Sequence, residues 1–300
     1  MDYNSKILLV GSCFVENIGG KLAYFKFQNS INPLGILFHP AAIAGFFNRV
    51  ANQLFFTEAD LIFQNERWHC LDAHSVMSGS DQKTVLKGLN SAVAETLEFL
   101  QDSTHVIITL GTAWGYRYKK TAKLVANCHK IPQGEFDKEL AEIDAISTDL
   151  LSILTNLKAI NPKIKVVFTV SPVRHLKDGV VENQRSKAHL IAAVHTLMEN
   201  QDQVEYFPSY EIMMDELRDY RFYERDLLHP SALAVDYIWE KFASVYLSPQ
   251  AQQWAAKIDE VQKAMAHRPF DQSSAAHLKF LENIERKKEH IEENLPNIRF

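Results

Sequence analysis

Four short runs along the chain are apolar at almost every position: 6–10 (KILLV), 105–110 (HVIITL), 165–170 (KVVFTV) and a weaker one at 204–207. Such runs, apolar on both faces and closed by Gly or Pro, predict buried strands of a parallel sheet. Between them, apolar residues recur at helical spacing. Val85, Leu86, Leu89, Val93, Leu97 and Leu100 make one stripe over 81–100. Ile143, Ile146, Leu150, Leu151, Ile153, Leu154 and Leu157 make a second over 141–160, and 185–198 carries a third. Shorter helices are expected at 14–23, directly after the first strand, and at 231–247. Strands alternating with helices imply crossover connections and a sheet covered on both sides, an α/β fold.

Two segments break the rhythm. Residues 66–76 (ERWHCLDAHSV) predict an extra extended segment. Residues 114–127 alternate on either side of Lys119–Lys120 and predict a hairpin. After Leu247 the pattern changes. Ser248-Pro249 is a helix-start signal. Trp254, Ile258, Val261 and Met265 then form one narrow stripe, and Leu278, Leu281, Ile284, Ile291 and Leu295 another on a highly charged helix. The expected organisation is an α/β domain over 1–247 and a helical extension over 248–300. That extension would cover the domain or a partner subunit, so self-association is expected to run through it.

Composition narrows the function classes. The chain has 300 residues, 46% hydrophobic and 23% charged, with a formal net charge of −5 and no concentration of Lys and Arg. Those values suit a globular protein with a sizeable core and speak against a nucleic-acid surface. No run reaches the roughly 18 apolar residues of a membrane span. No signal-peptide pattern opens the chain. Three widely spaced cysteines, Cys13, Cys70 and Cys128, suggest neither a disulfide framework nor a zinc knuckle, and a reducing cytoplasm is expected.

Candidate chemistry begins at Gly11-Ser12-Cys13, where the first apolar run stops and a helix starts. A thiol there meets free N–H groups and the positive end of a helix dipole, which favour thiolate. The plainer reading is that Ser12 caps the helix and Cys13 packs as a small hydrophobe. The second signal is Asp226-Leu227-Leu228-His229. An Asp three residues before a His can turn back to hold the imidazole tautomer and stabilise the imidazolium. Together the two signals place a nucleophile and an Asp/His pair on one rim, at the carboxyl ends of strands.

The segments KILLVGSCFVENIG, INPLGILFHP, VIITLGTAWGYRY, VANCHKIP, FTVSPVRHLKDG and DLLHPSALAVDYIWEKF together resemble the GSCFA-domain proteins, a branch of the SGNH (GDSL-like) hydrolases. The resemblance runs from about Lys6 to Leu247. It implies a three-layer α/β/α sandwich with a flavodoxin-like parallel sheet. It also implies ester or thioester hydrolysis through an acyl-enzyme, with an acyltransferase or a binding domain on a decayed scaffold as the alternatives. On the superfamily's blocks, Cys13 falls on the nucleophile and Ser12 one residue before it. Gly35 matches the second block, and Asp226 and His229 match the last. Gly111-Thr112-Ala113-Trp114 falls on the GxND block, but Ala113 and Trp114 replace the Asn and Asp. Cys13 is favoured over Ser12 as the nucleophile. Losing the oxyanion-hole Asn typically costs about 10²–10³ in rate, so substitutes are expected. The candidates are the N–H groups of Cys13 and Gly35, and Asn127 with its neighbour His129 if the hairpin folds over the rim.

Other candidates are weaker. His69, Cys70, Asp72 and His74 match no closed metal pattern, and neither a metal nor a cofactor is expected. His74 is expected to line the cleft, Arg174 to clamp a carboxylate or phosphate, and Trp114 with Tyr116 to wall a pocket. The expected partner is a small acyl ester.

Overall fold

Strand β1 (Lys6–Gly11) has every residue after Lys6 buried and runs directly into helix α1 (Phe14–Tyr24). The computed structural model describes residues 1–201, 203–271 and 273–300. Beyond α1 come β2 (Gln28–Ile31), α2 (Pro40–Ala51), the hairpin β3 (Leu61–Gln64) and β4 (Arg67–Cys70), α3 (Gln82–Gln101) and β5 (His105–Leu110). A small sheet follows, of β6 (Trp114–Tyr118), β7 (Lys123–Val125) and β8 (Phe136–Leu140). Then come α4 (Ile143–Ile160), β9 (Lys165–Val170), α5 (Val180–Met198), β10 (Val204–Phe207) and the single turn α6 (Ser209–Glu211). Helices α7 (Ala232–Tyr246), α8 (Pro249–Ala266) and α9 (Ala275–Asn294) complete the chain.

The main sheet is entirely parallel, in the order β10-β9-β5-β1-β2. The direction of winding therefore reverses between β1 and β5. In such sheets the ligand crevice opens at that reversal, beyond the carboxyl ends of the strands. Each face has its own core. Leu8, Val10, Val106, Ile108, Val166 and Phe168 join the residues of α2 to α5 on one side. Ile7, Leu9, Ile107 and Val167 join α1, α7 and α8 on the other. Strand residues alternate between the faces, so a strand covered on both sides reads as a continuous apolar run. Each fully buried aliphatic side chain contributes about 1.5–3 kcal/mol. The fold is the α/β sandwich that the alternation predicts.

Several elements depart from expectation. β2 (QNSI) lacks an apolar run, because it is an edge strand with only half-buried side chains. Helix α2 was not among the expected helices, although His39 caps it and Pro40 opens it. Helix α5 starts at Val180, not Arg185, because its first turn exposes Val180 and Val181 and so carries no stripe. The extended segment expected at 66–76 is shorter. Its true partner strand is β3, and the chain turns through a 3₁₀ turn at Ser75–Met77. The hairpin at 114–127 forms, and β8 adds a third strand to it.

The C-terminal helices lie against the sandwich. Ile258 and Val261 of α8 and Ile284 and Ile291 of α9 share an apolar cluster with Ile7 and Phe14. The Tyr24 hydroxyl donates to Asp259 at 2.9 Å, and the Gln262 amide donates to the Tyr24 carbonyl at 2.8 Å. The expected stripes are only partly covered: Met265, Leu278 and Leu281 remain exposed. Among the described residues, no helix is long and apolar enough to cross a membrane.

Candidate functional site

The turn after β1 is held from three sides. The Gly11 N–H donates to Asn32 Oδ1 at 2.9 Å, the Leu37 N–H donates to the Gly11 carbonyl at 3.0 Å, and the Ser12 N–H donates to the Thr109 carbonyl at 3.0 Å. Gly11 has φ +146°, and a Cβ there would lie 2.2 Å from the Thr109 carbonyl oxygen. Only glycine fits this position. The residues after it are thereby aimed at the gap between β1 and β5.

Ser12 and Cys13 separate cleanly. Ser12 is buried at 1% exposure and its hydroxyl has no hydrogen-bond partner among the described residues, so it does not cap α1. Cys13 is half-buried and itself occupies the cap position of α1. The expectation of a thiolate held by the helix terminus is not met. Burial pushes the Cys13 thiol up, and Glu16 adds to this. The N–H groups of Cys13 and Phe14 and the charge of Lys187 pull the other way without prevailing. Desolvation outweighs one helix end here.

Asp226 and His229 form the expected pair. Asp226 Oδ2 lies 2.7 Å from His229 Nδ1, while Oδ1 accepts the N–H groups of Leu228 at 2.9 Å and His229 at 3.0 Å. Those backbone donors, joined by the imidazole, hold the Asp226 carboxyl down at about 2. Both side chains are exposed. Among the described residues, no hydrogen bond joins Cys13 to His229. The first turn of α1 and the loop carrying His229 nonetheless share one groove of about 440 Å³, lined by Glu16, Asn17, Glu224 and Pro230 among others.

The remaining candidates are placed as follows. The Gly35 N–H already donates to the Asn32 carbonyl at 2.7 Å, so it is not free as an oxyanion donor. Gly35 has φ +74° and packs against the Cβ of His74. Asn127 Oδ1 accepts the His129 N–H at 2.9 Å, an Asx turn rather than an arm over the site. His129 is buried, with Nε2 2.7 Å from the Cys70 carbonyl. Arg174 is engaged within the protein. Its guanidinium stacks 4.1 Å over the Tyr223 ring and donates to the Tyr223 hydroxyl, while its N–H donates to the Leu228 carbonyl at 3.2 Å. It ties the β9 loop to the His229 loop. The Trp114 indole donates to the Glu182 carbonyl at 3.2 Å and carries Lys138 over its face. His69 is bound by Ser78 and by the Gln64 carbonyl, and Asp72 pairs with Arg49. Those side chains serve the β3–β4 hairpin.

Two groups beside the rim were not expected from the sequence. Lys187 of α5 is buried at 1% exposure, and its Nζ donates to the carbonyls of Gly111 and Ser171, each at 2.7 Å. Burial lowers its ammonium to about 7, and the nearby Cys13 counteracts this. His175 lies edge-on to Phe38, with its Nε2 buried and unpartnered among the described residues. Burial, then the charges of Lys187 and His229, lower it to about 4. A signal for Lys187 was present: Asn183, Ser186 and Lys187 fall on the same helical stripe as Leu190, Ala193, Val194 and Leu197. Polar residues on the covered face of a helix mark a job at the strand ends.

The description "GSCFA family" matches residues 6–242, and "GSCFA domain protein, C-terminal domain" matches residues 258–300. The chain belongs to the GSCFA family. Comparison of this GSCFA protein with curated proteins gave no match. Among solved structures it is similar to an acetyl xylan esterase from the rumen bacterium Butyrivibrio proteoclasticus, with 10% identity, a TM-score of 0.44, and 84% of this chain and 65% of that one covered. It is also similar to a family 3 carbohydrate esterase from Talaromyces cellulolyticus, with 10% identity, a TM-score of 0.39, and 84% and 98% covered.

Proposed function

We infer that this protein transfers acyl groups from an ester or thioester, with Cys13 as the nucleophile and the Asp226–His229 pair as its base. The observation that supports the reading most is the 2.7 Å contact of Asp226 with His229 Nδ1. It leaves Nε2 as the nitrogen available to take a proton.

The steps follow from the side chains present. His229 Nε2 takes the thiol proton, and the sulfur pair attacks the acyl carbon. The backbone N–H of Cys13 faces the developing oxyanion. Collapse expels the alcohol or thiol, which leaves with the proton from His229. Water then releases the acid, or an amine or thiol accepts the acyl group instead. Closure of the His229 loop over Cys13 is part of this reading, since among the described residues no hydrogen bond joins the two. The elevated Cys13 thiol and the exposed pair favour a second reading, a binding domain on the same scaffold.

One experiment separates them. Brief exposure to an activated short-chain ester, followed by mass mapping, should place an acyl adduct on Cys13. Hydrolysis should be lost in Cys13→Ala and His229→Ala and kept in Ser12→Ala. Full activity in Cys13→Ala, or no adduct at Cys13, refutes the acyl-transfer reading.

A further inference from the structure

We propose that the cleft between α8 and α9 is a binding site for a phosphate-bearing anion, separate from the acyl-transfer groove and independent of that reading. A groove of about 430 Å³ lies between the two helices, a volume in the range of small-ligand sites. Lys257 and Glu260 line it from α8, and Asn283, Arg286, Lys287 and His290 line it from α9. Helical spacing gathers them. Positions 257 and 260 share one face of α8, and positions 283, 286, 287 and 290 share one face of α9. The apolar part of the lining is Ile291, which belongs to the buried cluster that holds both helices to the sandwich.

What calls for explanation is the sign of the charge. The chain as a whole carries −5, yet this groove sets three cationic side chains and a histidine against one carboxylate. That carboxylate, Glu260, is committed to Lys287 at 2.9 Å. Among the described residues, neither Lys257 nor Arg286 has a carboxylate within ion-pair distance. Helix α9 is not short of acids: Glu285 pairs with Lys288, which does not line the groove. Like charges held side by side repel, and an anion between them offsets that cost. Nor are all these side chains free to swing. The Lys257 ammonium lies 4.1 Å over the half-buried Trp254 ring, and the His290 ring packs against the same indole at 5.7 Å. Two lining groups are therefore placed before any ligand arrives, which lowers the ordering cost of binding. An ammonium, a guanidinium fork and the Asn283 amide offer donors in several directions. That suits an anion with several acceptor oxygens. Two cations without a partner suit a doubly charged group, a phosphate monoester or a diphosphate. A soluble phosphorylated compound and a lipid headgroup share this chemistry.

Inorganic pyrophosphate, titrated calorimetrically into the native full-length protein at low salt and mildly alkaline pH, is the first test. Saturable binding is expected, weakening as salt is added. Lys257→Gln and Arg286→Gln should each weaken it about tenfold or more. Lys279→Gln, an exposed cation of the same helix outside the groove, should not. All three side chains are exposed, so native melting temperatures should accompany these results. Absence of binding, native affinity in both groove variants, or an equal loss in Lys279→Gln overturns the proposal. The second test sediments the protein with phosphatidylcholine vesicles, with and without phosphatidic acid. Co-sedimentation that requires phosphatidic acid, falls in Arg286→Gln and is competed by pyrophosphate would identify the phosphate as a lipid headgroup. Pyrophosphate binding without co-sedimentation would identify it as a soluble compound. Neither test reads Cys13, so this proposal and the acyl-transfer reading can each fail alone.

Discussion

The two halves of the candidate site are built in opposite ways. The Gly11-Ser12-Cys13 turn is fixed by long-range bonds to Asn32 just after β2, to Thr109 of β5 and to Leu37 before α2. The Asp226–His229 pair is held by bonds within four residues, on an exposed loop. Arg174 and a bridge between Tyr223 and Pro230 fasten that loop to the body. One half is therefore part of the core and changes only if the core does. The other is a local turn whose bonds lie within a few residues, so it depends less on the core.

Three perturbations test that contrast, and Gly11→Ala should have the largest effect. The added methyl meets the Thr109 carbonyl oxygen at 2.2 Å with φ at +146°. A loss of at least about 3 kcal/mol in denaturant unfolding is expected. A near-native unfolding curve would show that the turn is not core-determined.

Acid comes second. His39, His105 and His175 are each lowered to about 4, chiefly by burial. Their values in the unfolded chain are near 6.5, so the unfolded state takes up protons first as pH falls. The contribution of these three rings should be full above about pH 6.5 and be lost progressively as pH falls towards 4. Melting temperatures across that window check this. A flat profile would mean that the three rings gain protons without unfolding.

Asp226→Asn should have the smallest effect on stability. The carboxylate is exposed, and asparagine can still accept the Leu228 and His229 N–H groups. The melting temperature should stay within error of native, while hydrolysis by the acyl-transfer route falls. A clear drop in melting temperature would show that the loop is welded to the core and remove the contrast.

Much of the architecture was legible because each buried strand is apolar on both faces and most long helices carry a stripe. β2 was not legible: at the sheet edge, its polar QNSI residues are only half covered. The DxxH pair could be read because its geometry is local, an Asx-type turn that a few residues determine. The roles of Gly35, Asn127 and Arg174 could not. Each depends on whether an N–H, an amide or a guanidinium is already taken by a residue distant in the chain or by a turn.

By itself the sequence determined the alternation of strands and helices, the family motifs and the Asp226–His229 turn, because those are properties of short windows of chain. Only the tertiary structure decided that Ser12 is fully buried while Cys13 is half-buried at the start of α1. It alone brought the buried Lys187 to the carbonyls of Gly111 and Ser171 at the strand ends. Burial and the partners available to a polar atom depend on strand order, and strand order is set by the packing of the whole sheet.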